Sequence, residues 1–147
     1  MKRTYGTPLL RLVRGGTTLS EGEFALLRSM VEELPDQLRS VVESQFDEYN
    51  LVQREQDRRA LNFYAMSLFS KRPRPVTQSI KSKRQEVPLI RVSALVDGDP
   101  DPLYAALTAV NGRAFCVSFS RPVPEVQSEH ELTVTHVSQA WKSSFPQ

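Results

Sequence analysis

The sequence predicts an α+β domain in which an N-terminal helical pair packs on an antiparallel β-sheet, a meander of about five strands. Three observations support this class. Two stretches with helical spacing precede residue 50, strand-like patterns dominate after it, and Asn111-Gly112 marks a tight hairpin. With 147 residues the chain has the size of one ordinary domain, so we treat residues 1–147 as a single unit.

The first helix is predicted to begin after Ser20. Ser20 and Glu23 fit a capping box, in which each side chain accepts a hydrogen bond from the other residue's backbone N–H. Pro35 ends this helix and also starts the second one, with Asp36 at the positive end of the helix dipole. Upstream, residues 9–13 are expected to form a short strand or an ordered arm.

Most of the remaining chain is predicted to form strands. Residues 51–55 and 58–68 predict a hairpin, with a continued helix through Arg59 as the alternative, and residues 89–96 predict the next strand. Asn111-Gly112 then fits a two-residue type I′ turn between strands at 103–110 and 113–121, because both turn positions need a positive φ. Phe115, Val117 and Phe119 alternate with smaller residues there, and residues 132–141 supply the last strand.

Residues 71–88 have a different composition. Three prolines and six basic residues accompany a single acid, Glu86. Such a segment buries little apolar surface, so we expect a flexible loop that joins two strands of the sheet.

The overall charge of +2 hides two regions of opposite sign. Eight acidic and two basic residues lie between positions 16 and 50, a net −6, whereas residues 71–88 carry a net +5. The separation of these charges matters more for partners than their sum.

Few residues suit catalysis or metal binding. The only histidines are His130 and His136, the only cysteine is Cys116, and no metal-binding spacing, nucleophile elbow or phosphate-binding glycine loop is present. Cys116 is expected to be a small buried residue, although a pair with His136 or His130 on a neighbouring strand is the alternative. We therefore expect a non-enzymatic protein without cofactor, catalytic residues or metal.

The sequence also suggests a location. No run of about 18 apolar residues is present, no signal-peptide core follows the N-terminus, and one cysteine cannot form an internal disulfide. We expect a cytoplasmic protein with no membrane partner.

The first functional hypothesis is a protein-interaction domain that binds one partner, such as a basic toxin or nuclease, through its acidic helices. As a layout only, helices leading into an antiparallel sheet resemble small immunity proteins that inhibit bacterial toxins, and equally cystatin-like and cone-shaped folds. The predicted partner-binding residues are Glu32, Glu33, Asp36, Glu43, Asp47 and Glu48.

Two alternatives use other residues. In the first, the sheet curves around an apolar ligand pocket lined by Phe63, Tyr64, Phe115, Phe119 and Trp141. In the second, basic side chains bind nucleic acid, namely Lys71, Arg72, Arg74, Lys81, Lys83 and Arg84. The sequence is also compatible with a homodimer.

Overall fold

Three helices precede six strands in a computed structural model that describes residues 1–67 and 72–143. The helices are α1 (Pro8–Arg14), α2 (Glu21–Glu32) and α3 (Asp36–Glu48). The strands are β1 (Leu51–Arg54), β2 (Ala60–Tyr64), β3 (Glu86–Val96), β4 (Leu103–Val110), β5 (Arg113–Phe119) and β6 (Leu132–Ser138), with 3₁₀ turns at Glu129–Glu131 and Ala140–Ser143. The predicted α+β class is confirmed, with six strands in place of about five.

All strand pairs are antiparallel, and the order across the sheet is β1-β2-β5-β4-β3-β6. β3, β4 and β5 form a meander. The other strands depart from chain order, because β2 pairs with β5 and β6 returns to pair with β3. The hairpin β1–β2 and strand β6 therefore lie at opposite ends of the sheet.

Both predicted helix starts are confirmed. The N–H of Glu23 donates to Ser20 Oγ at 3.2 Å, and the N–H of Ser20 donates to Glu23 Oε1 at 2.8 Å, which completes the capping box. Pro35 precedes α3 in extended conformation, and Asp36 is the first helical residue. These two local signals determine where the helical pair begins and divides.

The expectation of a strand or arm at residues 9–13 was wrong, because these residues belong to α1. Thr7 caps this helix by accepting a hydrogen bond from the N–H of Leu10 at 3.2 Å, and Pro8 occupies its first turn. Gly15 ends the helix in the left-handed conformation. Leu10 is the buried residue of this helix, whereas Leu9, Leu12 and Val13 stand at helical spacing but are exposed.

The two predicted hairpins form. β1 and β2 pair as expected, so the alternative of a continued helix through Arg59 is wrong. The turn between β4 and β5 places Asn111 at φ 51° and Gly112 at φ 78°, as a type I′ turn requires. At the end of the chain, β6 is shorter than predicted, and Trp141 lies in the following 3₁₀ turn.

The predicted alternation along β5 fails at its start. Ala114 is buried instead of Phe115, whereas Val117 and Phe119 are buried as expected. Ala109 pairs with Ala114 and Thr108 with Cys116, so Phe115 is the additional residue of a β-bulge. The bulge leaves Phe115 half-buried, with its ring 5.2 Å from that of Tyr64.

Residues 72–85, the connecting segment, lie within the stretch for which a flexible loop was predicted. The N–H of Arg74 donates to the Ala65 carbonyl at 2.6 Å, and the N–H of Ile80 donates to the Gly112 carbonyl at 2.8 Å. Ile80 is itself buried. The predicted loop boundary was wrong at its end, since residues 86–88 belong to β3, where an irregularity beside Pro88 accommodates the proline.

The core lies between the helices and one face of the sheet. Its centre is an aromatic cluster around Phe63, whose ring centroid is 4.9 Å from Phe46, 5.5 Å from Tyr5 and 5.9 Å from Tyr49. All four side chains are fully buried. The cluster joins the N-terminal segment and α3 to β2.

Candidate functional site

The predicted acidic residues of α3 fall on different sides of the helix. Asp36, Glu43 and Asp47 follow one another at helical spacing and are exposed, so they form an acidic stripe on the outer surface. Glu32 and Glu33 are exposed at the end of α2, where the chain turns into α3. The structure thus presents five of the six residues on one helical region.

Glu48 has a structural contact instead. Both of its carboxylate oxygens lie 3.0 Å from the backbone nitrogen of Thr77, which donates to them. This contact attaches the connecting segment to the end of α3. Glu48 is therefore less suited to partner binding than the sequence suggested.

Nearby arginines neutralise part of the acidic region. Arg28 approaches Glu32 at 3.7 Å and also pairs with Glu129, and Arg39 lies 3.6 Å from Asp36. Within residues 1–67 and 72–143, no ion pair within 4 Å involves Glu33, Glu43 or Asp47. The uncompensated charge is concentrated in the second half of the stripe.

An apolar groove of about 480 Å³ lies beside α3. Leu38 and Val41 of α3 are half-buried, and Ile80 of the connecting segment lies opposite them. Gln37, Ser79 and Lys81 provide polar groups at the groove. Its apolar lining is formed by Pro35, Leu38, Val41, Ile80 and Trp141.

Gln45 holds the segment that carries Ile80. This fully buried side chain donates to the carbonyls of Gln78 at 2.7 Å and Gly112 at 2.9 Å, and accepts from the N–H of Ala114 at 2.7 Å. One amide thus connects α3, the connecting segment and the β4–β5 hairpin. Gln45 was not predicted from the sequence, although a polar residue between Val42 and Phe46 on the apolar side of a helix is a detectable signal.

The predicted basic residues do not form one surface. Arg72 and Arg74 line a second groove together with Arg113 of β5, whereas Lys81 lies at the apolar groove. Lys83 and Arg84 are exposed near the start of β3. Lys71 lies outside the described residues. Nothing in the sequence connects Arg113 with the basic segment, because the two meet only in the fold.

The five aromatic residues of the predicted pocket are not brought together. Phe63 and Phe119 are buried in the core, and Phe63 packs directly on Phe46 and Tyr49. Tyr64 and Phe115 contact each other, and Trp141 lies at the apolar groove. Phe119 and Trp141 line two different grooves of the described chain.

Cys116 and His136 are too far apart to act as a pair. Cys116 lies on β5 and His136 on β6, and β4 and β3 separate the two strands. Three strand spacings amount to about 14 Å. His130 lies in the exposed 3₁₀ turn at Glu129–Glu131. The nucleophilic pair considered from the sequence is therefore not formed with His136.

Burial raises the pKa of the Cys116 thiol to about 11, and the charges of Glu55 and Glu86 act in the same direction. The reactive thiolate is consequently scarce near neutral pH. We expect iodoacetamide to modify folded Cys116 at least roughly tenfold more slowly at pH 8 than the unfolded chain. Mass spectrometry of the alkylated protein, folded and in guanidinium chloride, measures both rates, and equal rates would contradict the raised pKa.

The fold and this geometry define an α+β protein with an acidic stripe, an apolar groove and an arginine-lined groove. Comparisons with protein-family models, curated proteins and solved structures found no match. Across the described residues, no helix has the length and apolar character needed to cross a membrane. The same residues contain no group of three or more metal-binding side chains.

Proposed function

We propose that the chain is a non-enzymatic interaction domain that binds one basic protein partner through α3. The observation that carries this proposal is that α3 contributes side chains both to the apolar groove and to the acidic stripe on its outer surface. Asp36, the first residue of the stripe, stands between the groove residues Pro35 and Gln37. One helix therefore offers both an apolar contact and negative charge.

The groove has the composition of an interface centre. Stable interfaces place apolar side chains at the centre and polar ones at the rim, and tryptophan is enriched among the residues that contribute most to affinity. Here Leu38, Val41 and Trp141 remain partly accessible, and Gln37 and Lys81 stand at the margin. An apolar side chain of the partner would occupy this groove.

The stripe determines the expected charge of the partner. Glu43 and Asp47 are exposed and lack ion pairs within the described chain, so their field is reduced mainly by solvent and salt. Complementary charge increases association rates and selects among partners. In its specific form, the proposal is that the chain is an immunity-type inhibitor that covers a cationic toxin or nuclease with this surface. The negative charge of the stripe supports this form.

The test is affinity capture with the full-length chain, followed by kinetics with the purified partner. We expect the double variant Glu43→Lys/Asp47→Lys to associate roughly tenfold more slowly at low salt, with a weaker dependence on salt. Both residues are exposed near the C-terminal end of α3, where lysine is compatible with the helix dipole. Val41→Asp is expected to accelerate dissociation by placing a charge at the apolar groove.

The matched control is Asp97→Lys/Glu125→Lys, which changes the net charge equally at exposed positions outside the helices. This variant should retain the association rate of the original chain to within about twofold if local charge matters more than net charge. The proposal would be contradicted if both double variants lost association rate equally, or if both retained it. Failure to capture a basic protein would also contradict the proposal.

A further inference from the structure

A groove lined by three arginines lies where the connecting segment passes the β4–β5 turn. Arg72 and Arg74 come from the segment, and Arg113 follows the turn as the first residue of β5. Ser79 and Asn111 add polar groups, and the prolines Pro73 and Pro75 provide rigid walls. We call this site, with a volume of about 440 Å³, the arginine groove.

Hydrogen bonds hold the two walls of the groove at a fixed separation. The N–H of Arg74 donates to Ala65 at 2.6 Å, and Ile80 and Gln45 both donate to the Gly112 carbonyl. Gly112 is also required sterically, because a Cβ there would lie 2.9 Å from Ser79 Oγ and 3.0 Å from the Ile80 carbonyl oxygen. The fold thus positions the charged side chains on anchored backbone.

The lining points to an anion. No aspartate or glutamate is among the residues of this groove, although Glu48 lines a neighbouring depression with Arg74. Guanidinium groups bind phosphate oxygens in pairs and at fixed angles, which suits a ligand that presents several phosphates.

An aromatic pair extends from one of the arginines. The Arg113 guanidinium lies 5.8 Å from the centroid of the Phe115 ring, and Phe115 meets Tyr64 edge to face at 5.2 Å. Both rings are half-buried, so each keeps an accessible part. Aromatic side chains beside a basic groove are the usual means by which proteins bind the bases of single-stranded nucleic acids.

We propose that the arginine groove binds single-stranded nucleic acid, with phosphates at Arg72, Arg74 and Arg113 and a base against Phe115 and Tyr64. The site differs from the earlier basic-segment hypothesis because it includes β5 and β2 and leaves out Lys83 and Arg84. It is independent of the acidic stripe and of the protein-interaction proposal.

The test uses the full-length chain and a fluorescein-labelled 12-nucleotide oligouridine, followed by fluorescence anisotropy at several salt concentrations. Three phosphate contacts predict a slope of about −2 in a plot of log affinity against log salt. Arg74→Gln/Arg113→Gln should weaken binding at least roughly tenfold and lower the magnitude of the slope to about 0.7. Phe115→Leu should weaken binding roughly fivefold or more with an unchanged slope, because it removes stacking and not charge.

The matched control is Lys83→Gln/Arg84→Gln, which removes the same amount of charge at connecting-segment positions outside the groove and should reduce affinity less than about threefold. Circular dichroism on every variant verifies that the fold is retained. The proposal would be overturned if the oligonucleotide did not bind, or if the two double variants weakened binding equally. It would also be overturned if a duplex of the same length bound equally tightly, or if polyglutamate at equal charge displaced the oligonucleotide. The Glu43→Lys/Asp47→Lys variant should retain oligonucleotide binding, so failure of one proposal is distinguishable from failure of the other.

Discussion

Replacing Gln45 by alanine is expected to lower the free energy of unfolding by about 2–4 kcal/mol, because three buried hydrogen bonds are lost together. The substitution removes a donor from the carbonyls of Gln78 and Gly112 and the acceptor from the N–H of Ala114. Gly112 retains the bond from Ile80, but the Ala114 N–H loses a partner in a buried environment. Urea unfolding followed by circular dichroism measures the change.

A second variant separates hydrogen bonding from packing. Gln45→Leu fills similar space without polar atoms, so a loss comparable to that of Gln45→Ala would show that the hydrogen bonds dominate. Gln37→Ala is the control, because Gln37 is exposed on the same helix, and it should change the stability by less than about 0.5 kcal/mol. If Gln45→Ala behaved like this control, the structural role assigned to Gln45 would be incorrect.

Replacing Phe63 by alanine should have the largest effect on stability, a loss of about 3–5 kcal/mol. Phe63 contacts Tyr5, Phe46 and Tyr49 and is fully buried, so the substitution leaves a cavity between the N-terminal segment, α3 and the sheet. The loss combines the transfer energy of the ring with the cavity that remains. Thermal and urea unfolding of the variant measure it.

Phe115→Ala is the matched comparison, because it removes the same type of side chain from a half-buried position. Phe115 lies on β5, the strand next to β2, which carries Phe63. We expect a loss of about 1 kcal/mol or less there, in proportion to the smaller area removed from water. Similar losses at the two positions would contradict the assignment of Phe63 to the centre of the core.

Local signals in the sequence were sufficient for the helical pair and for the β4–β5 hairpin, whereas the β1–β2 hairpin was predicted with a continued helix as its alternative. A capping box, a proline and an Asn-Gly turn act within a few residues, so neighbouring residues alone determine the outcome. The same reasoning failed at α1 and at Phe115. At α1 the cap and the terminal glycine outweighed a weak apolar pattern, and at Phe115 a bulge reversed which side of the strand faces the core.

The candidate sites were harder to predict than the fold. The acidic stripe follows from helical spacing, and its residues were found from the sequence. The grooves arise because the connecting segment passes α3 and the β4–β5 turn, which joins Ile80 with Leu38 and Arg74 with Arg113. No periodicity connects residues so far apart in the chain, and their proximity depends on the tertiary packing around Gln45.

The strand order also has a consequence for how the chain reaches this structure. β3, β4 and β5 join through short turns, whereas the β2–β5 ladder pairs Ala60 with Ser118 across more than a third of the chain. Loop closure costs more entropy as the separation grows, and folding slows as contacts become less local. We therefore expect the meander to form first, with its two edge strands, β5 and β3, as the templates on which β2 and β6 then assemble.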